Sequence, residues 1–146
     1  MFSNVTGARV YIPHVSSAAG LREVRRFGLH RPIIETCPHY LTHTRDDGFE
    51  ASLGKVNPPL REQSDVDACV AALRDGVIDA IATDHAPHAL GDKAIEFDLA
   101  APGISMIETA FGLDMPPVPA GQLDPPPLDR HPPAAPGHAR APGPPR

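Results

Sequence analysis

Residues 76–85, GVIDAIATDH, run nearly uninterrupted in apolar side chains from Ile78 to Ala82 and stop on an aspartate and a histidine. A strand with water on one face alternates apolar and polar residues. One that is apolar at successive positions is covered on both faces, as in a parallel sheet flanked by helices. The residues just upstream supply such a helix, expected from about Ser64 to Asp75, with Val66, Val70 and Leu73 along one side. Ser64 and Asp67 resemble a capping box in which Asp replaces Glu.

The same order recurs upstream. ARVYIPHV (8–15) is β-rich and ends at His14, and SSAAGLREVRRFGLH offers Ser16 or Ser17 as an N-cap. Leu21, Val24 and Phe27 are spaced for one helical face, while Glu23, Arg25, Arg26 and Arg74 read as solvated helix faces. RPIIETCPHYL gives a second strand, Ile33 to Thr36, broken by Pro38, and a polar loop follows through residue 61. After the third strand comes a loop with Gly91, Pro102 and Gly103, and then a last helical candidate, ISMIETAFGL (104–113). Strand–helix alternation of this kind predicts α/β structure with parallel units. His14, the TCPH around His39, and Asp84 all fall at the C-terminal ends of strands. In a (β/α) barrel those ends share the face that carries the active site.

Asp84 could cap a following helix, but Pro87 and Gly91 suit a loop better, which favours a carboxylate that ligates a divalent metal and moves a proton. A metal lowers the pKa of bound water to about 7, and an adjacent carboxylate collects the proton released. His14 is a candidate metal ligand beside Asp84, and His88 a candidate partner for an anionic substrate group. His39 reads as structural or supporting rather than as a ligand, and His85 as packing or support. KVNPPLR (55–61) is stiffened by paired prolines, so that Asn57 could offer a donor and an acceptor to a substrate amide. Cys69 reads as a small buried helix residue.

Composition bounds the rest. Of 19 prolines, 12 lie in the last 31 residues, so the 146-residue chain reads as a folded segment, 1–113, and a low-complexity tail, 114–146, expected to be disordered. A net charge of −5 argues against nucleic acid and anionic membranes as partners. Apolar runs are far short of the roughly 20 residues that span a bilayer. No charged stretch precedes an apolar one as in a signal peptide, and two cysteines suggest a reducing compartment; cytoplasm is the expectation.

HVSS, ETCPHYL, KVNPPLR, DAIATDHAPH and EFDLAAPGISMIETAFGL, in this order and at these distances, resemble the C-terminal half of the class I dihydroorotases. These are cyclic amidohydrolases, relatives of hydantoinase and allantoinase. The match covers nearly all of residues 8–113. NPPLR with TDHAPH is more similar to dihydroorotase than to allantoinase, which would carry a cysteine near Asn57 and a serine in the DHAP segment. The resemblance implies part of a TIM barrel, strands six to eight, with a binuclear zinc site. It also implies reversible cyclisation of N-carbamoyl-L-aspartate to L-dihydroorotate in pyrimidine synthesis. His14 would then be a zinc ligand, and Asp84 a zinc ligand and general acid/base. Asn57 and His88 would bind substrate, with Pro102 and Gly103 meeting it through their backbone.

The family's first strand bears a His-x-His pair, which occurs nowhere in this chain. Its fourth and fifth strands bear further ligands. His14 and Asp84 alone fall short of the three protein ligands usual at catalytic zinc, and three strands do not close an eight-stranded barrel. The lone chain is therefore expected to be inactive. An N-terminal half supplied separately, or a homo-oligomer formed through open strand edges, is the expected partner. The proline-rich ending fits a frameshifted reading of a GC-rich gene. The competing expectations are a non-catalytic scaffold of the same fold and a hydantoinase-like or allantoinase-like segment.

Overall fold

A computed structural model of the chain describes residues 5–29, 32–47, 49–50 and 52–108. These fall within one unit, Met1–Pro116. The expected boundary at 113 and the tail 114–146 lie outside the described residues.

Three short strands form a parallel sheet in the order β1 (Tyr11–Ile12), β2 (Ile33–Thr36), β3 (Ala80–Ile81). Tyr11 and Ile12 pair with Ile33 and Ile34, and Glu35 and Thr36 with Ala80 and Ile81. Only β2 has the predicted length. The strand read over 8–15 narrows to two residues, since Pro13 has no N–H for the ladder; Val15 rejoins by donating to the Glu35 carbonyl at 2.8 Å. Asp79 stands where β3 was expected to begin. Its N–H donates to the Ile34 carbonyl and its carboxylate accepts from the Ile34 N–H, both at 2.8 Å, so that a side chain does the work of a ladder carbonyl.

Helix α1 (Ala18–Phe27) joins β1 to β2 and begins as expected: the Ser17 hydroxyl accepts from the Gly20 N–H at 3.1 Å. The Asp65 carboxylate, from the next long helix, takes the Ala18 N–H at 2.9 Å. The helix ends at Gly28, whose φ of 53° is the left-handed conformation open to glycine. Leu21 is buried and Val24 half-buried, but Phe27, expected on the same face, is exposed in the last turn.

Pro38, expected only to break β2, opens a short helix, α2 (Pro38–Thr42), at the position where its missing N–H costs nothing. Helix α3 (Gln63–Arg74) then leads to β3. Its N-cap is Glu62, not Ser64. The Glu62 carbonyl accepts from Asp65 and Val66, while Asp67, expected to complete the capping box, accepts from the Gln63 side chain at 2.9 Å. Gly76, with φ 69°, turns the chain from α3 back toward the sheet.

Val15, Leu21, Ile34, Leu41, Cys69, Ala72 and Ile78 form the core between sheet and helices, with Ile12, Val24, Val70, Leu73 and Ile81 packed against it. Burying each aliphatic side chain contributes about 1.5–3 kcal/mol. Beyond β3, a short helix α4 (Leu90–Lys93) lies in what the sequence read as loop. Residues 104–108 are not the helix expected there. Ile104 bridges to His85 in parallel, its carbonyl taking the Ala86 N–H at 3.0 Å; the remainder of that candidate, 109–113, lies outside the described residues.

Candidate active site

The two residues expected to ligate metal share an uncommon backbone. His14, just past β1, has φ 41°, and Asp84, just past β3, has φ 47°; among the described residues no other non-glycine has a positive φ. Side chains with a Cβ avoid this region, and such strain costs about 1–3 kcal/mol per residue. It persists because the flanking chain is pinned. Val15 is bonded to Glu35 through its N–H, and its carbonyl accepts from the Thr36 hydroxyl at 2.7 Å. Ala82 donates to the Thr36 carbonyl at 3.0 Å. Both residues are thus turned out of the sheet at its C-terminal edge, His14 half-buried and Asp84 exposed.

Between them, the end of β2 supplies Cys37 and His39, both completely buried. One ligand atom each from Cys37, His39 and Asp84 lie within 4.8 Å of one another. Burial pushes the Cys37 thiol up to about 12, with the Asp84 charge acting in the same direction. Burial pushes the His39 imidazole down to about 4 and so holds it neutral, although Asp84 pulls the other way. Neither ring nitrogen of His39 has a hydrogen-bond partner among the described residues. Its ring lies 4.1 Å from that of Tyr40, and the residue borders a largely apolar cavity lined also by Phe49, Leu53, Leu60 and Met106. Nearby, the Tyr11 hydroxyl donates to the Glu35 carboxylate, and that bond raises the phenol to about 12.

The loops that carry the expected substrate residues are tied together through backbone atoms. The Lys93 ammonium, buried at 6% exposure, donates to the carbonyls of Lys55 (2.9 Å), Ala101 (3.1 Å) and Gly103 (2.8 Å). Burial, and then Lys55, lower its pKa. The Gly103 N–H donates to the Lys55 carbonyl at 2.9 Å, and the Tyr40 hydroxyl to the Pro58 carbonyl at 2.6 Å. The Asn57–Pro58 peptide is cis, and Asn57 is exposed. His85 Nδ1 accepts from the N–H groups of Met106 and Ile107, each at 3.0 Å, which fixes the proton of a neutral ring on Nε2. Exposed His88 donates from Nε2 to the Pro102 carbonyl at 3.1 Å. Gly103 must be glycine: at φ 141° a Cβ would stand 2.7 Å from both the Ala86 Cβ and its carbonyl oxygen.

The structure therefore puts His14 and Asp84 at the C-terminal ends of the two outer strands of one sheet, while the donors it brings within 4.8 Å of one another are those of Cys37, His39 and Asp84, without His14. It joins the loops of Asn57, His88, Pro102 and Gly103 in a single bonded cluster. His85, unplaced by the sequence, anchors residues 106–107. Lys93 is absent from the sequence reading, and Cys37 enters it only as part of the TCPH at a strand end, without a role of its own. A lone lysine in a loop carries no pattern, whereas Cys-Pro-His at a strand end places two donors side by side and could have been noticed. Thiol, imidazole and carboxylate donors, with two unpaired imidazole nitrogens buried among them, suit a divalent metal of the zinc type.

No family model matches the chain. Over 118 residues it is 47% identical to a dihydroorotase of Ruminiclostridium cellulolyticum, covering 77% of this chain and 27% of that one. It is 49% identical over 117 residues to a dihydroorotase of Anaeromyxobacter dehalogenans, with 75% and 26% covered. The chain is related by descent to the dihydroorotases. Among solved structures it superimposes on the dihydropyrimidinase of Brevibacillus agri with a TM-score of 0.66 at 30% identity, covering 76% of this chain and 26% of that one. Such structures are TIM-barrel amidohydrolases, and the described α/β segment superimposes on part of that fold. The chain spans about a quarter of the length of the curated dihydroorotases it matches. No helix among the described residues is long and apolar enough to cross a membrane.

Proposed function

We propose that this chain supplies one wall of a dihydroorotase active site, with His14 and Asp84 holding a zinc ion and Asp84 moving the proton. The reaction adds water across a cyclic amide bond. The ring C–N bond breaks, hydroxyl goes to the carbonyl carbon and a proton to the departing nitrogen; the reverse closes N-carbamoyl-L-aspartate to L-dihydroorotate with loss of water. The observation that carries this reading is the shared left-handed turn of His14 and Asp84 at the ends of parallel strands.

Exposed Asp84 can exchange its proton with a ring nitrogen in the site. Asn57 offers an amide donor and acceptor to the ring, and His88, once its Nε2–H leaves the Pro102 carbonyl, donates to an anionic or carbonyl oxygen. The Pro102 carbonyl keeps a second lone pair beside its His88 bond, and Gly103 holds that turn close to Ala86. A bound zinc would polarise the ring carbonyl. The sequence identities near 47–49% to dihydroorotases, against 30% to the dihydropyrimidinase, favour dihydroorotate over hydantoins as the substrate class.

In this reading the remaining ligands come from barrel strands outside this stretch of sequence. The two free cysteines fit a cytoplasmic setting. The test mixes the purified chain with a separately expressed piece of a related dihydroorotase covering strands one to five. Dihydroorotate hydrolysis in the mixture, lost on Asp84→Ala, is the expected result. An inactive mixture whose components bind each other and zinc would leave a scaffold and overturn the catalytic reading.

A further inference from the structure

Lys93 joins segments that lie far apart in the sequence. Its ammonium, at 6% exposure, directs all three protons to main-chain carbonyls: Lys55 at 2.9 Å, Ala101 at 3.1 Å and Gly103 at 2.8 Å. None of the ion pairs among the described residues involves it. Burying an ammonium without a carboxylate beside it is costly, and an apolar side chain of similar length would fill the space without that cost. The residue type therefore answers to the carbonyls rather than to packing.

Those carbonyls belong to the two loops that carry the proposed substrate contacts. Ala101 and Gly103 turn theirs to Lys93, while Pro102 between them gives its carbonyl to His88 at 3.1 Å. Asn57 lies two residues beyond Lys55, whose carbonyl also takes the Gly103 N–H at 2.9 Å. His14 and Asp84 are held separately, through the bonds of Val15 and Ala82 to β2.

We propose that Lys93 is a positioning residue for substrate binding: its three bonds fix the spacing between Asn57 on one loop and Pro102 and Gly103 on the other, so that both loops meet the substrate ring together. The inference rests on the dihydroorotase reading above. Contacts that hold the ring equally in the ground state and the transition state govern KM, whereas the carboxylate that moves the proton governs kcat. A misplacement of about 1 Å in such a site costs up to about 100-fold.

The measurement is steady-state dihydroorotate hydrolysis by the purified full chain, with zinc and the strand-one-to-five piece in saturating excess. Lys93→Met should raise KM about tenfold and leave kcat within about twofold. Lys55→Ala is the comparison. It removes the exposed Nζ bonds to the carbonyls of Phe97 (2.8 Å) and Asp98 (3.2 Å) but leaves the Lys55 carbonyl on Lys93, and its KM should stay within about twofold of wild type. A merely structural tie behaves otherwise, lowering the fraction of folded chain, and so kcat, at an unchanged KM. An unchanged KM in Lys93→Met, or an equal rise in Lys55→Ala, overturns the proposal. Should Lys93→Met fail to fold, Lys93→Gln, which keeps two of the three protons, decides by the same split. A wild-type mixture without activity overturns the dihydroorotase reading and this inference with it, whereas an active wild type beside an unmoved KM counts against Lys93 alone.

Discussion

The sheet with its two long helices and the loops beyond β2 and β3 are held by opposite means. In the first region backbone finds backbone: Val15, Ile33, Asp79 and Ala82 donate to carbonyls of neighbouring strands or their flanks at 2.8–3.0 Å, and apolar side chains fill the space to α1 and α3. In the second, beside backbone bonds such as Gly103 to Lys55 and Ala86 to Ile104, backbone finds side chains. Three carbonyls converge on Lys93, the Pro58 carbonyl on Tyr40, and two N–H groups on the His85 ring. Stability in the first region is spread over volume, so damage there is graded. In the second it rests on single polar atoms, and removing one releases several loop segments together.

The largest effect is expected where the packed region is opened at its centre. Ile34 lies in the middle strand at 5% exposure, and Ile34→Ala removes its contacts to the core formed with Leu21, Cys69 and Ile78. Large-to-small changes of this type cost about 2–5 kcal/mol. Urea unfolding should show a lowered midpoint with an unchanged slope. A loss below about 1 kcal/mol would mean that this region is not packed as a core.

Lys93→Met tests the other region. The methionine fills much the same space and leaves three carbonyls without their shared donor. Charge-assisted hydrogen bonds contribute about 1.5–3 kcal/mol each in net terms, and their losses overlap, so a total near 3 kcal/mol is expected. The damage should be local. Amide exchange at Gly103, which donates to the Lys55 carbonyl, should accelerate, while the amides of β2 exchange as before. Equal acceleration in both regions would erase the distinction.

A smaller effect follows from His39 in the metal-free chain. Burial lowers its pKa to about 4, against 6.5 for an ordinary histidine. Between those values the unfolded chain binds a proton that the folded chain refuses. Stability from this residue is therefore complete above pH 6.5 and is lost as pH falls toward 4. The loss should reach the order of 2 kcal/mol, and His39→Gln should flatten that part of the profile. Identical profiles for the two proteins would show that His39 is solvated in the folded chain.

These differences decide what could be read in advance. Apolar periodicity exposes volume, so the order of elements, the extent of β2, the burial of Leu21, Val66 and Cys69, and the Ser17 cap were legible. The strand ends were legible as places, since His14 and Asp84 follow directly from where apolar runs stop. Their left-handed backbones were only weakly legible: Asp and His tolerate a positive φ better than most residues, but no local pattern places one at these positions. The loop cluster was legible only through family motifs. Lys93 acts on carbonyls contributed by positions 55, 101 and 103, and carbonyls are the same in every residue. Ile104 and Ile107 have a helical spacing, but the His85 ring and the Ala86 N–H claim their backbone first.

The smallest predicted effect probes one of the few side-chain-to-backbone bonds inside the packed region, the one by which the Ser17 hydroxyl closes a helix end. Ser17 accepts from the Gly20 N–H at 3.1 Å, and the first turn of α1 contains no acidic residue of its own to help. Ser17→Ala leaves that N–H to water, whereas the Ala18 N–H keeps its bond to Asp65 across the helix interface. A lost N-cap costs about 1 kcal/mol, and the surviving Asp65 bond should hold the cost at the lower end of the usual 0.5–2 kcal/mol range. Ser17 shares no bonding partner with Lys93, so in the double variant Ser17→Ala/Lys93→Met the two costs should add within about 0.5 kcal/mol. Urea midpoints of the two single variants and the double variant measure this directly. A clearly larger combined loss would show that the entry to α1 and the loop cluster beyond β3 unfold as one unit, and that the two regions differ in their bonding but not in their cooperativity.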